Sequence, residues 1–247
     1  MRTGVLVISI LLLLPGGSAH AGTGCSPGSD APDEIYCSAY DDVHDGDAGG
    51  DLIVGRGGHD RLAGGEGADR IYGDGGMDVL VGDRGNDHLY GGPRADALAG
   101  ADGNDVLDGS TGPDALSGGD GWDQLSGGPD DDELHGGIGI DHLTGGDGDD
   151  LLNGGRGEDL IYGHRSADRI SGGGGPDEIY AGEGPDQVRP GYGVDIVIAG
   201  AGDDSIDAVD GHRDRIRCGD GFDRVVADRI DRVGSSCEEV EHSDRGW

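Results

Sequence analysis

Eighteen aspartates stand nine residues apart: Asp51, Asp60, Asp69, Asp78, Asp87, Asp96, Asp105, Asp114, Asp123, Asp132, Asp141, Asp150, Asp159, Asp168, Asp177, Asp186, Asp195 and Asp204. No insertion or deletion interrupts the spacing from Gly46 to Asp207. Carboxylates in such a series can serve three kinds of chemistry. Two could act as the acid and base of a glycosidase, which requires a pair in unlike environments rather than a column of identical ones. Single aspartates could cap their own turn, which does not account for the same residue in every unit. Or the whole set could converge on cations.

The neighbours of each aspartate decide how the column is held. With each nine-residue unit numbered from its first residue (Gly46 in the first unit), the aspartate is position 6. Position 8 is Leu, Ile or Val in all 18 units, from Ile53 to Ile206. Position 1 is Gly except at Ala181, Pro190 and Ala199, and position 4 is Gly except at Arg94, Asp130 and Ser166. Glycines at positions 1, 2 and 4 allow backbone angles closed to other residues, so positions 1–6 are expected to form a tight turn. Positions 7–9 read as a minimal strand with position 8 inward and positions 7 and 9 outward. One unit buries nothing alone, whereas two make a coil of 18 residues whose stacked copies align the position-8 side chains.

Eighteen units give nine coils, a rod of roughly 43 Å at ~4.8 Å per coil. Each turn then lies over the turn two units earlier, and the position-6 carboxylates of the two converge with exposed turn carbonyls. Hard oxygen donors in high number and loose geometry suit Ca²⁺. Odd and even units each offer nine stacked turns and eight gaps, hence up to about sixteen Ca²⁺ ions. Sixteen divalent ions nearly cancel the charge, which is −34 for the whole chain.

The pattern G-G-x-G-x-D-x-U-x is seen in GGEGADRIY (64–72), GGDGDDLLN (145–153) and GGGGPDEIY (172–180). It resembles the RTX, or hemolysin-type, calcium-binding repeats. The resemblance implies an all-β fold, a parallel β-roll with Ca²⁺ between stacked turns. It also implies that the aspartates from Asp51 to Asp204 are its metal ligands. Members of that family usually leave the cell through a C-terminal export signal.

This chain carries a different signal. Arg2, the apolar run from Val5 to Leu14 and the small-x-small triplet Ala19-His20-Ala21 read as a secretory signal peptide over 1–21. An exported protein meets an oxidising compartment, so the four cysteines are expected as disulfides. Three connectivities are possible. The ends of a rod would hold Cys25 and Cys37 far from Cys218 and Cys237, which favours local pairing. No C-x-x-C pair points to zinc. The chain thus divides into a signal peptide (1–21), an N-terminal cap with degenerate repeats (22–45), the eighteen-unit roll (46–207) and a C-terminal cap with decayed repeats (208–247). In the first cap Asp33, Ile35 and Asp42 stay in register, but His44 stands where an aliphatic residue belongs. In the second, the extra residue Ala208 shifts the register before Asp214-Arg215-Ile216 and Asp223-Arg224-Val225.

Composition narrows the function. Glycine supplies 56 residues and aromatics only 4%, too little to fill a wide core. Low hydrophobicity with high net charge reads as disorder unless a period or a ligand rescues it. The negative charge excludes nucleic acid and membrane insertion and favours cations. There is no H-E-x-x-H, no G-x-S-x-G, no P-loop and no EF-hand loop, and the assigned segments leave no stretch for a catalytic domain. The expectation is a secreted, non-enzymatic, calcium-binding protein, structural or adhesive at the cell surface or in the matrix. The alternatives are a polysaccharide-modifying enzyme using a face of the roll, and a disordered calcium sequestrant.

Two finer expectations follow from register. Tyr36, Tyr72, Tyr90, Tyr162 and Tyr180 all occupy position 9 an even number of units apart. They share one face, where Tyr72 should stack on Tyr90 and Tyr162 on Tyr180. That face is a candidate contact for a cell-surface polysaccharide or protein. The gaps around Arg94 and Ser166 should be weak, because a non-Gly residue strains position 4 if that position needs positive φ. Arg94 and Arg165 are also expected to place positive charge near a cation site.

Overall fold

The computed structural model of the chain describes residues 24–243; the expected signal peptide and Trp247 lie outside the described residues. Among the described residues, twenty-four strands follow one another without a helix. The odd-numbered strands form one 12-stranded parallel sheet and the even-numbered strands another. Pairing joins residues 18 apart through the repeats, as in Leu116 with Leu134 and Leu125 with Leu143. This is the two-unit coil expected from the sequence, repeated for about twelve turns. Across Ala208 the step becomes 19, as Val197 pairs with Ile216, and in the last coil it shortens to 17 and 15, as Arg215 pairs with Arg232 and Arg224 with Glu239.

The core is a single file on each inner face. Every position-8 residue from Ile53 to Ile206 is at most 3% exposed. Ile35 extends the odd file at one end, and Ile216 and Val225 extend the two files at the other. Burying one such side chain contributes about 1.5–3 kcal/mol. Ordering one residue's backbone costs about 1–2 kcal/mol. One aliphatic per nine residues therefore offsets the ordering of about two residues, and the roll needs another source of stability.

Strand length differs from the expectation. Most strands run six residues, such as Val106–Thr111, through positions 7, 8 and 9 into positions 1–3 of the next unit. Pairing skips position 1 and resumes at positions 2 and 3, so the true turn covers positions 4–6. The glycines also have two distinct causes. At position 4 the turn does need positive φ: Gly103 has φ 146°, and a Cβ there would stand 1.4 Å from the carbonyl oxygen of Gly85 in the preceding coil. Position 1 needs no such angle. A Cβ on Gly136 would meet Asp141 Oδ2 at 2.5 Å and Gly154 O at 2.5 Å, so glycine there makes room for the carboxylate of its own unit.

The three exceptions at position 4 adopt the strained angle: φ is 91° at Arg94, 84° at Asp130 and 80° at Ser166. For an L-residue this costs about 1–2 kcal/mol, and Asp is the most tolerant of the three. The Arg94→Gly, Ser166→Gly double variant is expected to gain about 2 kcal/mol, which for a chain of this size raises the calcium-loaded melting temperature by about 4–8 °C. Differential scanning calorimetry checks this, and an unchanged or lower Tm would show that the turns absorb the side chains without strain.

Both ends are pinned. Disulfides join Cys25 to Cys37 and Cys218 to Cys237, as local pairing requires. The first coil is β1 (Glu34–Tyr36) and β2 (Val43–Asp45), where His44 fills the core slot. Its Nε2 is buried without a partner, and burial lowers its pKa, which keeps the ring neutral. The last coil is β23 (Arg232–Val233) and β24 (Glu239–His242), built from residues with no visible repeat.

Candidate metal centre

All eighteen position-6 aspartates are at most 4% exposed. Each is held in the same way. The backbone N–H of the aspartate in one coil donates to Oδ1 of the aspartate in the next. Asp105 donates to Asp123 at 2.9 Å, Asp123 to Asp141 at 2.9 Å and Asp78 to Asp96 at 2.7 Å. The two columns run the length of the roll, one through the odd units and one through the even units. The second oxygen is left over: Oδ2 of all eighteen is buried without a hydrogen-bond partner. A buried, unpartnered carboxylate oxygen is costly, and here the cost recurs in every unit.

Electrostatics point the same way. Burial, aided by the neighbouring carboxylates, pushes Asp123 and Asp132 up to about 7 from an ordinary 3.8. It pushes Asp168 and Asp177 to about 8. The columns resist ionisation on their own, so either a proton or a cation must neutralise them. The Oδ2 atoms face the space beside the position-1 glycine, where a carbonyl oxygen of the next coil also converges, as Gly154 O does beside Asp141. Oxygen donors of both kinds, paired in layers, match what Ca²⁺ takes.

A family comparison bears on this geometry. The RTX calcium-binding nonapeptide repeat matches in overlapping copies over residues 45–80, 72–107, 99–134, 126–161, 135–170, 162–191 and 189–225, which together cover 45–225. The chain belongs to the RTX calcium-binding repeat family. No individual curated protein matches it significantly. As an RTX protein it is a calcium-binding repeat protein on a parallel β-roll, in keeping with the orphaned oxygens and the all-β fold.

The columns are longer than the eighteen-residue series. Asp214 and Asp223 are 0% exposed, accept the N–H of Asp195 and Asp204 at 2.9 and 3.0 Å, and also carry orphaned Oδ2 atoms. The D-x-aliphatic triplets flagged them in the sequence, but the one-residue insertion at Ala208 took them out of the nine-residue count. Beyond them, Asp214 donates to Asp231 Oδ1 and Asp223 to Glu238 Oε2. At the other end the even column stops differently. Asp42 Oδ1 accepts the N–H of Gly24, and its Oδ2 accepts the N–H and hydroxyl of Ser38. Burial raises the Asp42 carboxyl, yet these donors outweigh it and hold the pKa below its ordinary value. Asp42 is a protein-made cap that leaves no oxygen over.

A second ladder on the turn edge was not visible in the repeat consensus. At position 5, Trp122 N–H donates to Asn104 Oδ1 and Asn104 N–H to Asn86 Oδ1. Asp149 N–H donates to Asp131 Oδ1 in the same way. The signal was present as Asn or Asp recurring at position 5 in steps of 18.

The expectation for Arg165 is corrected. Its guanidinium points outward, 63% exposed, between Asp147 at 3.2 Å and Glu183 at 3.9 Å. It therefore satisfies acids of the neighbouring coils. Arg94 is likewise exposed. What the Ser166 unit does change is the turn ladder: Gly148 N–H reaches Arg165 O only at 3.4 Å, whereas the equivalent bonds from Gly103, Asp130 and Gly184 measure 2.9, 2.7 and 2.6 Å.

Proposed function

We propose that this RTX protein is secreted and works without catalysis, as a calcium-folded structural or adhesive module outside the cell. In this reading the carboxylates of Asp51 through Asp204, with those of Asp214 and Asp223, hold the ions between coils. The observation that carries it is the repeated orphaned Oδ2: twenty buried oxygens in two files, each lacking a partner. A cation in every gap supplies the missing partner and converts the repulsion of the columns into the cohesion that the thin core lacks. The signal-peptide pattern of 1–21 and the two disulfides support export. The tyrosine face supports contact with an envelope polysaccharide or protein. Tyr72 stacks on Tyr90 at 4.8 Å and Tyr162 on Tyr180 at 4.9 Å, while Tyr36 lies beneath Arg56 at 5.5 Å.

Residues 1–25 fused to a periplasm-dependent reporter test export, and the calcium-loaded protein incubated with envelope fragments of its own cell tests adhesion. Export of the reporter and calcium-dependent retention on the envelope are expected. A reporter held in the cytoplasm would overturn secretion, and retention unchanged by chelator would overturn the calcium-dependent role.

A further inference from the structure

We propose that the groove beside Tyr162 is a binding site for a neutral oligosaccharide. The proposal deepens the adhesive reading and rests on the folded roll that calcium binding is taken to produce. It starts from a step in the position-9 row of the odd sheet. Register places Ser126, Thr144, Tyr162 and Tyr180 side by side in successive coils. Tyr180 covers one face of the Tyr162 ring, with the planes 10° apart. On the other side the row drops to Thr144 and Ser126, so the tyrosine stack ends in a ring above two hydroxyls. Two imidazoles flank that ring: His142, 5.5 Å away and tilted at 57°, and His164 of the groove lining, 5.9 Å away with its plane at 25°.

A groove of ≈ 590 Å³ opens along this step, within the range of about 300–1,000 Å³ typical of small-ligand sites. The glycines Gly128 and Gly146 keep its floor low. Its far wall is the chain of charges in which Arg165 sits between Asp147 and Glu183. These three side chains are 62–75% exposed, and the guanidinium has five donors, of which two carboxylate partners use only some.

The chemistry of the two walls selects the ligand. A pyranose has an apolar C–H face that packs on an aromatic ring, and a rim of hydroxyls that both donate and accept. Carboxylates and a guanidinium side by side match vicinal hydroxyls, and Thr144 and Ser126 add two more polar contacts. Two acids against one base on the rim disfavour a polyanion. An extended peptide has nothing to pair with, because the floor is the middle of a sheet whose backbone ladder is complete. The other charge ladder, Glu66–Arg84–Asp102, flanks Ala63, Val81 and Ala99, with no ring. The other stacked pair, Tyr72 with Tyr90, is followed at position 3 by Gly75 and Pro93, with no charge. At Tyr162 the ring step and the charged ladder face each other.

The test is titration of the calcium-loaded full chain with cellohexaose, chitohexaose and maltohexaose, and with an oligogalacturonate as the anionic probe. It is followed by calorimetry and saturation-transfer NMR. At least one neutral sugar is expected to bind, and Tyr162→Ala and Arg165→Gln each to weaken it about tenfold or more, the loss of roughly 1.4 kcal/mol of contact. Tyr40→Ala, an exposed ring in the N-terminal cap that is not part of the tyrosine face, should leave binding unchanged. Circular dichroism of each variant confirms that the roll is intact. Absence of binding by all three neutral sugars would overturn the proposal, as would a preference for the oligogalacturonate or wild-type affinity in a folded Tyr162→Ala variant. Repeating the titration in chelator separates the two readings. A roll that stays folded and still binds sugar refutes the calcium requirement alone, and a folded, calcium-loaded roll that binds none refutes the groove alone.

Discussion

Removing calcium at pH 8 is expected to abolish the β-roll. The far-UV circular dichroism of the metal-stripped chain should be that of an expanded, largely disordered polymer, and calcium at ~0.1–1 mM, the range of extracellular calcium modules, should restore the β spectrum cooperatively. The cause is electrostatic and is repeated in each coil. In the fold, burial raises the column carboxyls to about 6 at Asp60 and Asp96, about 7 at Asp87 and Asp114 and about 8 at Asp168 and Asp177. In the unfolded chain they titrate near 3.8. A carboxyl whose pKa is raised on folding holds a proton that the unfolded chain has released, so protons favour the metal-free roll and their loss opposes it. The metal-free fold is therefore least disfavoured below pH 3.8 and loses stability as pH rises through 6 to 8. Calcium reverses this dependence, because it binds the ionised form. Acidifying the metal-stripped chain from pH 8 toward pH 4.5, at low micromolar concentration because the isoelectric point is about 4.1, should raise its β content in the absence of any ion. A β-rich metal-free spectrum at pH 8 would sink the calcium requirement, and a β signal that falls on acidification would sink the electrostatic cause assigned to it.

Periodic features were legible in the sequence, and so was the strain at the position-4 exceptions Arg94, Asp130 and Ser166; close contacts and the effect of an insertion were not. The Asp at position 6 and the aliphatic at position 8 fixed a two-unit coil, its 18-residue register and the sharing of one face by Tyr72, Tyr90, Tyr162 and Tyr180, because each of these depends only on spacing. The role of the position-1 glycines was not legible. They are needed for a close approach to Asp Oδ2, and a missing Cβ looks the same in a sequence whether it relieves a φ angle or a contact. Asp214 and Asp223 fell outside the series because one inserted residue breaks a period while the sheet absorbs it as a 19-residue step. Arg165 was misplaced because position 3 lies at the end of a longer strand than expected, where its side chain runs along the surface to Asp147 and Glu183. The last coil, with Val233 and Val240, could not be read from a motif. Its residues pair because the coil beneath offers an open edge, and an unpaired edge is itself a template.

Neutralising one carboxylate in mid-column should remove more than one ion. Asp123 lies between the turns of Asp105 and Asp141, so its carboxylate borders two gaps of the odd column. In Asp123→Asn the amide oxygen can keep the hydrogen bond from Asp105 N–H, now 2.9 Å, but the –NH₂ then occupies the site of the orphaned Oδ2 and turns two donors toward the cation. Native mass spectrometry of the calcium-loaded variant is expected to show about two fewer ions than the wild type. The wild type should bind sixteen from the eighteen-unit count, or up to eighteen if the gaps to Asp214 and Asp223 fill. Stability should fall by ~3–5 kcal/mol, the usual consequence of leaving a buried charge partner unmatched. The loss should also divide the transition, because each coil of a solenoid touches only its neighbours and a weak layer uncouples the two halves. The control is Asp42→Asn at the column's end. Its oxygens already meet Gly24 and Ser38, so its loss costs hydrogen bonds and no ion. Equal ion counts in wild type and Asp123→Asn would mean that the gaps are held by backbone carbonyls rather than by the aspartate files. An ion lost from Asp42→Asn would mean that the capped end of the column is itself a site.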